Sequence, residues 1–208
     1  VDALQGSQVS ETVPPGSYEI LVIPTQNQPF ALSAVPIQVP SGESSITVDV
    51  ILGRRVPVSG RVTNDFGAPV ANARVSFFSR ESPVSREFRT VTDESGRYVL
   101  LVDPSIREGE SAEYEVSVEP TLGSGEPLLR ELIRVPADGG VFALVLNPTS
   151  FIFGQVSAPS GALIPETLLS FFSRDLESEG QSVFVGSARV GEDGEFALPL
   201  PSPSRLDP

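Results

Sequence analysis

Apolar and polar residues alternate along most of the chain, which is the pattern of β-strands with one buried face. Val56, Val58 and Val62 share one side of such a segment, and Ser59 and Arg61 share the other. No segment shows a sustained helical period. The alternation predicts further inward-facing sets at Ile46/Val48/Val50/Leu52, Ala73/Val75/Phe77, Tyr98/Leu100/Val102, Tyr114/Val116/Val118 and Phe142/Leu144/Leu146. Short strands separated by Gly, Pro and Asp at roughly ten-residue spacing predict an all-β sandwich.

The chain also repeats itself. The sequence Ser-Phe-Phe-Ser-Arg at residues 76–80 returns unchanged at residues 170–174, a shift of 94 positions (170 − 76). Residues 16–22 also resemble residues 113–118, although the two segments are not identical. A period in the nineties is too long for a solenoid repeat and fits a small domain, so the sequence predicts tandem sandwiches.

The repeat predicts three units with short linkers. Residues 1–53 match the C-terminal half of a first sandwich, residues 54–148 a complete sandwich, and residues 149–208 the N-terminal part of a third. Because the linkers are short, we expect a semi-rigid rod. Each partial unit is expected to need missing strands from the same polypeptide or, alternatively, from a second copy in head-to-tail self-assembly.

Composition excludes many kinds of chemistry. Cys, His, Met and Trp are absent, and all 14 basic residues are Arg, so Lys is absent too. The common zinc, copper and iron sites and the Ser-His or Cys-His pairs of nucleophilic catalysis cannot be built without these residues. We therefore predict no catalytic residue, no metal, no cofactor and no enzymatic activity.

The charge narrows the class of partner. A net charge of −13 repels the phosphates of nucleic acid and an anionic membrane surface. No apolar run is long enough to insert into a membrane. An acidic, Cys-free chain fits an extracellular or cell-envelope protein, either periplasmic or on the cell surface, and the missing initiator Met predicts a processed chain or an excerpt.

Four segments together resemble the carboxypeptidase regulatory-like family: residues 58–63, 67–70, 73–75 and 90–98. The resemblance covers residues 56–148, and the second half of the family pattern fits residues 14–52. Residues 150–200 depart from it, because residues 161–165 are expected to stretch the first turn and Phe196 replaces the Tyr. The resemblance implies a transthyretin-like or Ig-like Greek-key sandwich of seven strands. It also implies a non-catalytic accessory or spacer module, common in bacterial surface proteins, and no binding residue.

Four aromatic residues are predicted to face outward: Phe78, Phe151, Phe153 and Phe172. Either a neighbouring domain or a β-bulge covers them, or they form a patch that contacts another protein.

Charged residues offer two further candidates. The acidic turns at residues 93–94 and 192–193 either cap their own backbone or hold calcium between domains, and the lack of a DxDxDG-like spacing favours caps. The arginine pairs Arg54/Arg55 and Arg86/Arg89 are expected to be solvated or paired with the surplus acids.

These observations predict a non-catalytic structural, spacer or assembly module of a larger bacterial envelope or extracellular protein. Its expected partners are neighbouring domains of the same polypeptide or other envelope proteins. One alternative is an adhesin or glycan-binding module that acts through inter-strand loops, although Trp is absent and Tyr18, Tyr98 and Tyr114 fall on inward positions. The other is an accessory domain of a protease or an outer-membrane transporter.

Overall fold

The computed structural model describes residues 11–25, 27–42, 46–80, 84–107, 109–174 and 182–201. These residues form strands and turns, and none of them lies in a helix. The strands in chain order are β1 (Gly16–Val22), β2 (Ser33–Val39), β3 (Val56–Asn64), β4 (Arg74–Ser79), β5 (Glu87–Val91), β6 (Arg97–Val102), β7 (Ala112–Glu119), β8 (Leu129–Val135), β9 (Gly140–Leu146), β10 (Pro148–Gln155), β11 (Leu168–Arg174), β12 (Ser182–Arg189) and β13 (Glu195–Pro201). The predicted all-β class is confirmed.

Strands β3 to β9 form a seven-stranded Greek-key sandwich, called here the middle sandwich. One sheet has the order β6-β3-β9, and the other has the order β5-β4-β7-β8. Strand β3 pairs with β6 in antiparallel and with β9 in parallel orientation. Strands β3 and β4 are therefore interior strands with a partner on each side, whereas β8 lies at an edge.

The core of the middle sandwich consists of the inward-facing sets that the alternation predicts. Val58, Val75, Val102 and Val116 are completely buried. The ring of Phe77 packs edge-on against Tyr114, with 5.9 Å between centroids. These inward positions are confirmed.

One outward position of the middle sandwich departs from the expectation. Ser76 is buried on the outer side of β4, where its Oγ donates a hydrogen bond of 2.9 Å to Oε1 of Glu87. Because β4 is flanked by β5 and β7, Ser76 lies between Arg89 of β5 and Ser117 of β7. Outward orientation on an interior strand is therefore not the same as exposure.

A glycine in β3 explains one part of the repeat. A Cβ at Gly60 would overlap the carbonyl group of Phe142 and touch the ring of Tyr98. The hydroxyl of Tyr98 donates a hydrogen bond of 2.9 Å to that same carbonyl oxygen. Gly154, 94 positions later, leaves the corresponding space for the ring of Phe196. The repeated glycine and ring are thus one packing unit.

Strands β10 to β13, called here the third unit, repeat the turns of the middle sandwich. The sheets are β10-β13 and β11-β12. The amide of Gly67 donates to the carbonyl of Asn64, and Gly161 donates to Ala158 in the same way. The expectation that residues 161–165 stretch this turn is therefore wrong. The sequence offset between equivalent residues of the two units is still 94 at this turn. It is 98 where Val190 donates the hydrogen bond that corresponds to that of Thr92, so the four additional residues of the third unit follow β11.

Strands β1 and β2 pair with each other, and with residues 46–52 they form what is called here the first unit. The strand predicted at Ile46–Leu52 does not form. Its counterpart β9 is paired with β3, and none of the described residues before β1 supplies an equivalent of β3. Without a neighbouring strand to pair with, the segment forms no strand. Its side chains still alternate in exposure, with Val48 and Val50 half-buried. The predicted boundaries at 53/54 and 148/149 stay predictions.

Candidate functional site

Three charged residues meet at one end of the middle sandwich because each lies at the end of a strand. Arg55 precedes β3, Arg86 precedes β5 and Asp103 follows β6. Strands β3 and β6 are antiparallel with Val56 opposite Val102, so Arg55 and Asp103 become neighbours. The fold thus gathers residues that are far apart in sequence.

The carboxylate of Asp103 is shared by both guanidinium groups. Nη1 of Arg86 donates to Oδ2 at 2.7 Å, and Nε of Arg55 donates to Oδ1 at 3.4 Å. All three side chains are at most 7% exposed. The expectation that the arginine pairs are solvated is therefore wrong for Arg55 and Arg86. The alternative, that they pair with an acidic residue, is correct for both.

The same guanidinium groups hold the segment that follows β1. Nη2 of Arg86 donates to the carbonyl oxygen of Pro24 at 2.9 Å, and Nη2 of Arg55 donates to that of Thr25 at 3.1 Å. Carbonyl oxygens carry partial negative charge and accept these charge-assisted bonds well. The Arg55–Asp103–Arg86 cluster is thus a joint between the first unit and the middle sandwich.

Backbone hydrogen bonds strengthen this joint. The amide of Ala31 donates to the carbonyl of Gly53 at 2.9 Å, and the amide of Arg55 donates to that of Pro29 at 3.0 Å. Ala31 and Leu32 are buried beside them. The segment before β2 is therefore docked on the middle sandwich by polar and apolar contacts together.

Phe88 ties the cluster to the core. The guanidinium carbons of Arg55 and Arg86 lie 5.2 and 5.3 Å from the centre of its ring, within cation–π range. The ring also packs edge-on against Tyr114, whose hydroxyl donates to the backbone oxygen of Asp103 at 2.6 Å. A shift of the cluster would therefore disturb buried aromatic side chains.

The contact between the middle sandwich and the third unit is built differently. The amide of Gly123, in the loop after β7, donates to Oγ of Ser187 at 3.0 Å. Gly123 has a φ of 77° and lies against Leu168 and Arg189. Thr149 stands at the position that corresponds to Arg55 (55 shifted by 94). This second joint therefore lacks a guanidinium at that position.

The predicted outward aromatics fall in three places. Phe151 and Phe153 are 49% and 75% exposed, and their rings stack at 5.9 Å. Phe172 is 57% exposed, lies next to a bulge in the other sheet and packs edge-on against Phe184. Phe78 is half-buried. Of the four predicted residues, only Phe151 and Phe153 contact each other. Their contact with another protein stays a prediction.

The acidic turns cap their own backbone. Oδ1 of Asp93 accepts hydrogen bonds from the amide of Ser95, its hydroxyl and the amide of Arg97, all within 2.9 Å. The bond from the hydroxyl of Ser95 is the largest cause that lowers the pKa of Asp93. Oδ1 of Asp193 accepts from the amide of Glu195 at 3.0 Å.

Metal-binding groups and membrane-spanning helices were considered among the described residues alone. No three acidic side chains among them are grouped so as to hold a metal ion. None of them belongs to a helix of the length and apolarity needed to cross a membrane. The predictions of no metal and no cofactor stay predictions.

No protein-family model and no curated protein matches this sequence. Several solved structures are distantly similar to this chain. A streptococcal ancillary pilin is 13% identical with a TM-score of 0.33, over 91% of this chain and 64% of the pilin. The TIE protein of Bacillus anthracis is 16% identical with a TM-score of 0.29, over 90% of this chain and 35% of TIE. The dioxygenase domain of a dioxygenase carbohydrate-binding protein fusion from Streptomyces sp. SirexAA-E is 17% identical with a TM-score of 0.35, over 44% of this chain and 79% of that domain.

The chain thus spans less than two thirds of the pilin and of TIE. Likenesses this distant carry no inference about activity or partner.

Proposed function

We propose that this chain is a non-catalytic structural spacer of a larger bacterial envelope or extracellular protein, built from tandem sandwiches of the carboxypeptidase regulatory-like type. The observation that carries the proposal is the buried Arg55–Asp103–Arg86 cluster, which binds the carbonyl groups of Pro24 and Thr25. A spacer must hold its modules at a fixed distance and angle, and a buried charged joint of this kind supports such a role.

The energetics of the cluster favour a fixed joint over a flexible tether. Removing guanidinium and carboxylate groups from water is costly unless every group finds a partner. In this joint, two of the hydrogen-bond acceptors belong to the backbone of the preceding unit. Undocking that unit would leave donors of both arginines without those acceptors. The first unit and the middle sandwich should therefore move as one body.

The side-chain inventory supports a role without catalysis or sugar stacking. The chain has no His, Cys or Lys to act as nucleophile, general base or metal ligand near neutral pH. Tyr98 and Tyr114 are buried in the core and send their hydroxyls to backbone oxygens. These rings offer no exposed platform for a sugar, and Trp is absent.

Pulsed electron paramagnetic resonance across the joint tests the proposal. The chain has no Cys, so spin labels at Glu19→Cys in β1 and Glu94→Cys in the turn before β6 report one distance. Labelled chains are diluted with unlabelled ones to remove intermolecular distances. We expect a single narrow distance distribution in this otherwise unchanged chain.

A matched pair of variants identifies the cause. Arg86→Gln removes a charged group of the joint and should broaden the distribution, whereas Arg89→Gln changes an exposed arginine of the same strand region and should not. Circular dichroism checks that both variants stay folded. A broad distribution in the chain with both arginines intact would refute the spacer.

A further inference from the structure

The two outer faces of the middle sandwich differ in chemistry. On the four-stranded sheet, outward arginines form ion pairs of 3.1, 3.5 and 3.8 Å with outward glutamates, namely Arg74 with Glu119, Arg80 with Glu115 and Arg134 with Glu113. The described residues of β3, β6 and β9 that point outward from the other sheet include no acid and are Pro57, Ser59, Arg61, Thr63, Arg97, Val99, Leu101, Val141, Ala143 and Val145. This second surface is called here the apolar face.

The centre of the apolar face is open to solvent. Val141 is 80% exposed and Val99 is 65% exposed. Both lie in one row with Ser59, which stands between them on β3. Because Ser59 is small, a shallow groove of about 360 Å³ lies between the two valines. Exposed apolar surface with a polar rim is typical of sites that contact another protein.

One end of the apolar face is cationic. Arg61 of β3 lies directly opposite Arg97 of β6. Nε of Arg61 donates to the carbonyl oxygen of Ser95 at 2.9 Å, which holds this guanidinium group at the end of the sheet. Among the described residues, no acidic side chain lies within salt-bridge distance of either arginine. Both charges are therefore available to a partner.

The other end of the apolar face carries an acid. Asp138 is exposed in the turn before β9. Strand β9 runs parallel to β3 with Gly140 opposite Val58, so Asp138, two residues earlier, is level with Val56. Asp138 forms no salt bridge within the part of the chain that the structure describes. The face thus has opposite charges at its two ends.

We propose that the apolar face binds the same face of a second copy of this chain, with the strands of the two copies antiparallel. A two-fold axis then places Arg61 and Arg97 of each copy beside Asp138 of the other. The levels of residues 56 and 61 have their midpoint at 58.5, (56 + 61)/2, which is half a residue from the row that contains Ser59. The opposite charges and the apolar centre therefore match in a single isologous contact.

The charge of the chain favours this face over others for self-association. A net charge of −13 makes two copies repel each other wherever acidic surfaces meet. The apolar face has no acid at its centre, so the repulsion is weakest there. The contact lies wholly within the middle sandwich and needs neither partial unit, so it is compatible with a larger tandem protein.

The size of the face sets the strength of the contact. Three strands and five residue levels cover an area of about 10 by 17 Å. A permanent interface buries about 1,600 Å² in total, which is more than such an area supplies. We therefore expect a weak dimer whose population rises with protein concentration. In a longer array, equivalent faces of successive sandwiches would add to the affinity.

A matched pair of charged substitutions tests the inference by sedimentation velocity over a concentration series. Val141→Glu adds an acid to the row at the two-fold axis, where it meets the same acid of the second copy. Leu132→Glu adds an acid to the outer face of the other sheet, where Leu132 is 40% exposed. We expect the unaltered chain and Leu132→Glu to dimerise alike, and Val141→Glu to dimerise at least about tenfold more weakly with its circular dichroism retained.

Cysteine substitutions test the two-fold axis, since the chain has no Cys. The two copies of Ser59→Cys are one residue apart along the strands, about 3 Å, whereas those of Thr63→Cys are nine residues apart, about 30 Å. A short bifunctional maleimide should therefore link Ser59→Cys chains in pairs. It should leave Thr63→Cys chains single, although both residues lie on the same outward side of β3.

Three results would overturn the inference: an unaltered chain that is monomeric at every concentration, Val141→Glu that dimerises as well as Leu132→Glu, or cross-linking that is equally efficient at residue 63. The first of these would assign the apolar face to a neighbouring domain of the larger protein instead. The spin-label distance reads a contact within one chain. The dimer and the spacer can therefore fail separately.

Discussion

Arg86 donates a hydrogen bond of 2.7 Å to Asp103, and neither side chain is more than 7% exposed. Because the same carboxylate also accepts from Arg55, it is the shared counter-charge of two buried cations. Nη2 of each arginine donates to a carbonyl oxygen of the preceding unit. The charged cluster therefore stabilises the end of the middle sandwich and also binds the preceding unit.

Asp103→Asn should destabilise the chain by about 3–5 kcal/mol, because it leaves two buried guanidinium groups without a counter-charge. Urea unfolding at pH 7 measures this. The matched control is Glu110→Gln, whose ion pair with Arg107 is exposed and should contribute less than about 1 kcal/mol. Equal effects of the two substitutions would mean that the cluster adds no more than a surface pair.

Gly60→Ala should destabilise the chain by about 3 kcal/mol or more, because the added methyl group meets a backbone carbonyl that cannot move without breaking the β3–β9 ladder. Gly53→Ala is the control, since nothing lies within 4 Å of its Cβ position. Thermal melts of both variants decide the matter. A Gly60→Ala variant as stable as the original would show that the sheets can separate at this point.

Glu131→Gln should raise the melting temperature at pH 7. Glu131 lies opposite Val116 on the inward side of β8, and burial raises the pKa of its carboxyl. The folded state therefore holds a proton more readily than the unfolded chain. Stability falls as pH rises from the unfolded pKa, about 4.3, through the raised folded pKa. The gain should disappear below about pH 4, and exposed Glu94→Gln should show none. A lower melting temperature at pH 7 would show that the ionised carboxylate is stabilising.

Adding EDTA should leave the melting temperature unchanged. Oδ1 of Asp93 and Oδ1 of Asp193 already accept hydrogen bonds from their own turns. Differential scanning calorimetry with EDTA and with added calcium measures any linkage. A fall of several degrees with EDTA would identify these turns as calcium ligands.

The core could be predicted from the sequence because strand periodicity is local. The burial of Val75 and Phe77 follows from alternation within six residues of β4. The positive φ of Gly67 and Gly96 likewise follows from the turn signals around them. Such features need no knowledge of which strands pair.

The joint could not be predicted, because it depends on which strand ends become neighbours. Arg55, Arg86 and Asp103 are far apart in sequence, and nothing local marks them as buried. The burial of Ser76 could not be predicted for a related reason, since it depends on the neighbours of β4. Residues 46–52 illustrate the opposite case. Their apolar and polar residues alternate as in a strand, but no described strand pairs with them and no strand forms.

Residue-resolved amide hydrogen exchange tests the fixed joint most directly. The amides of Ala31 and Arg55 donate across it to Gly53 and Pro29, and the amide of Val62 within the middle sandwich serves as reference. A docked joint predicts that Ala31 and Arg55 are protected to the same order as Val62. Exchange of these two amides at the rate of an unstructured chain, with Val62 still protected, would contradict the account.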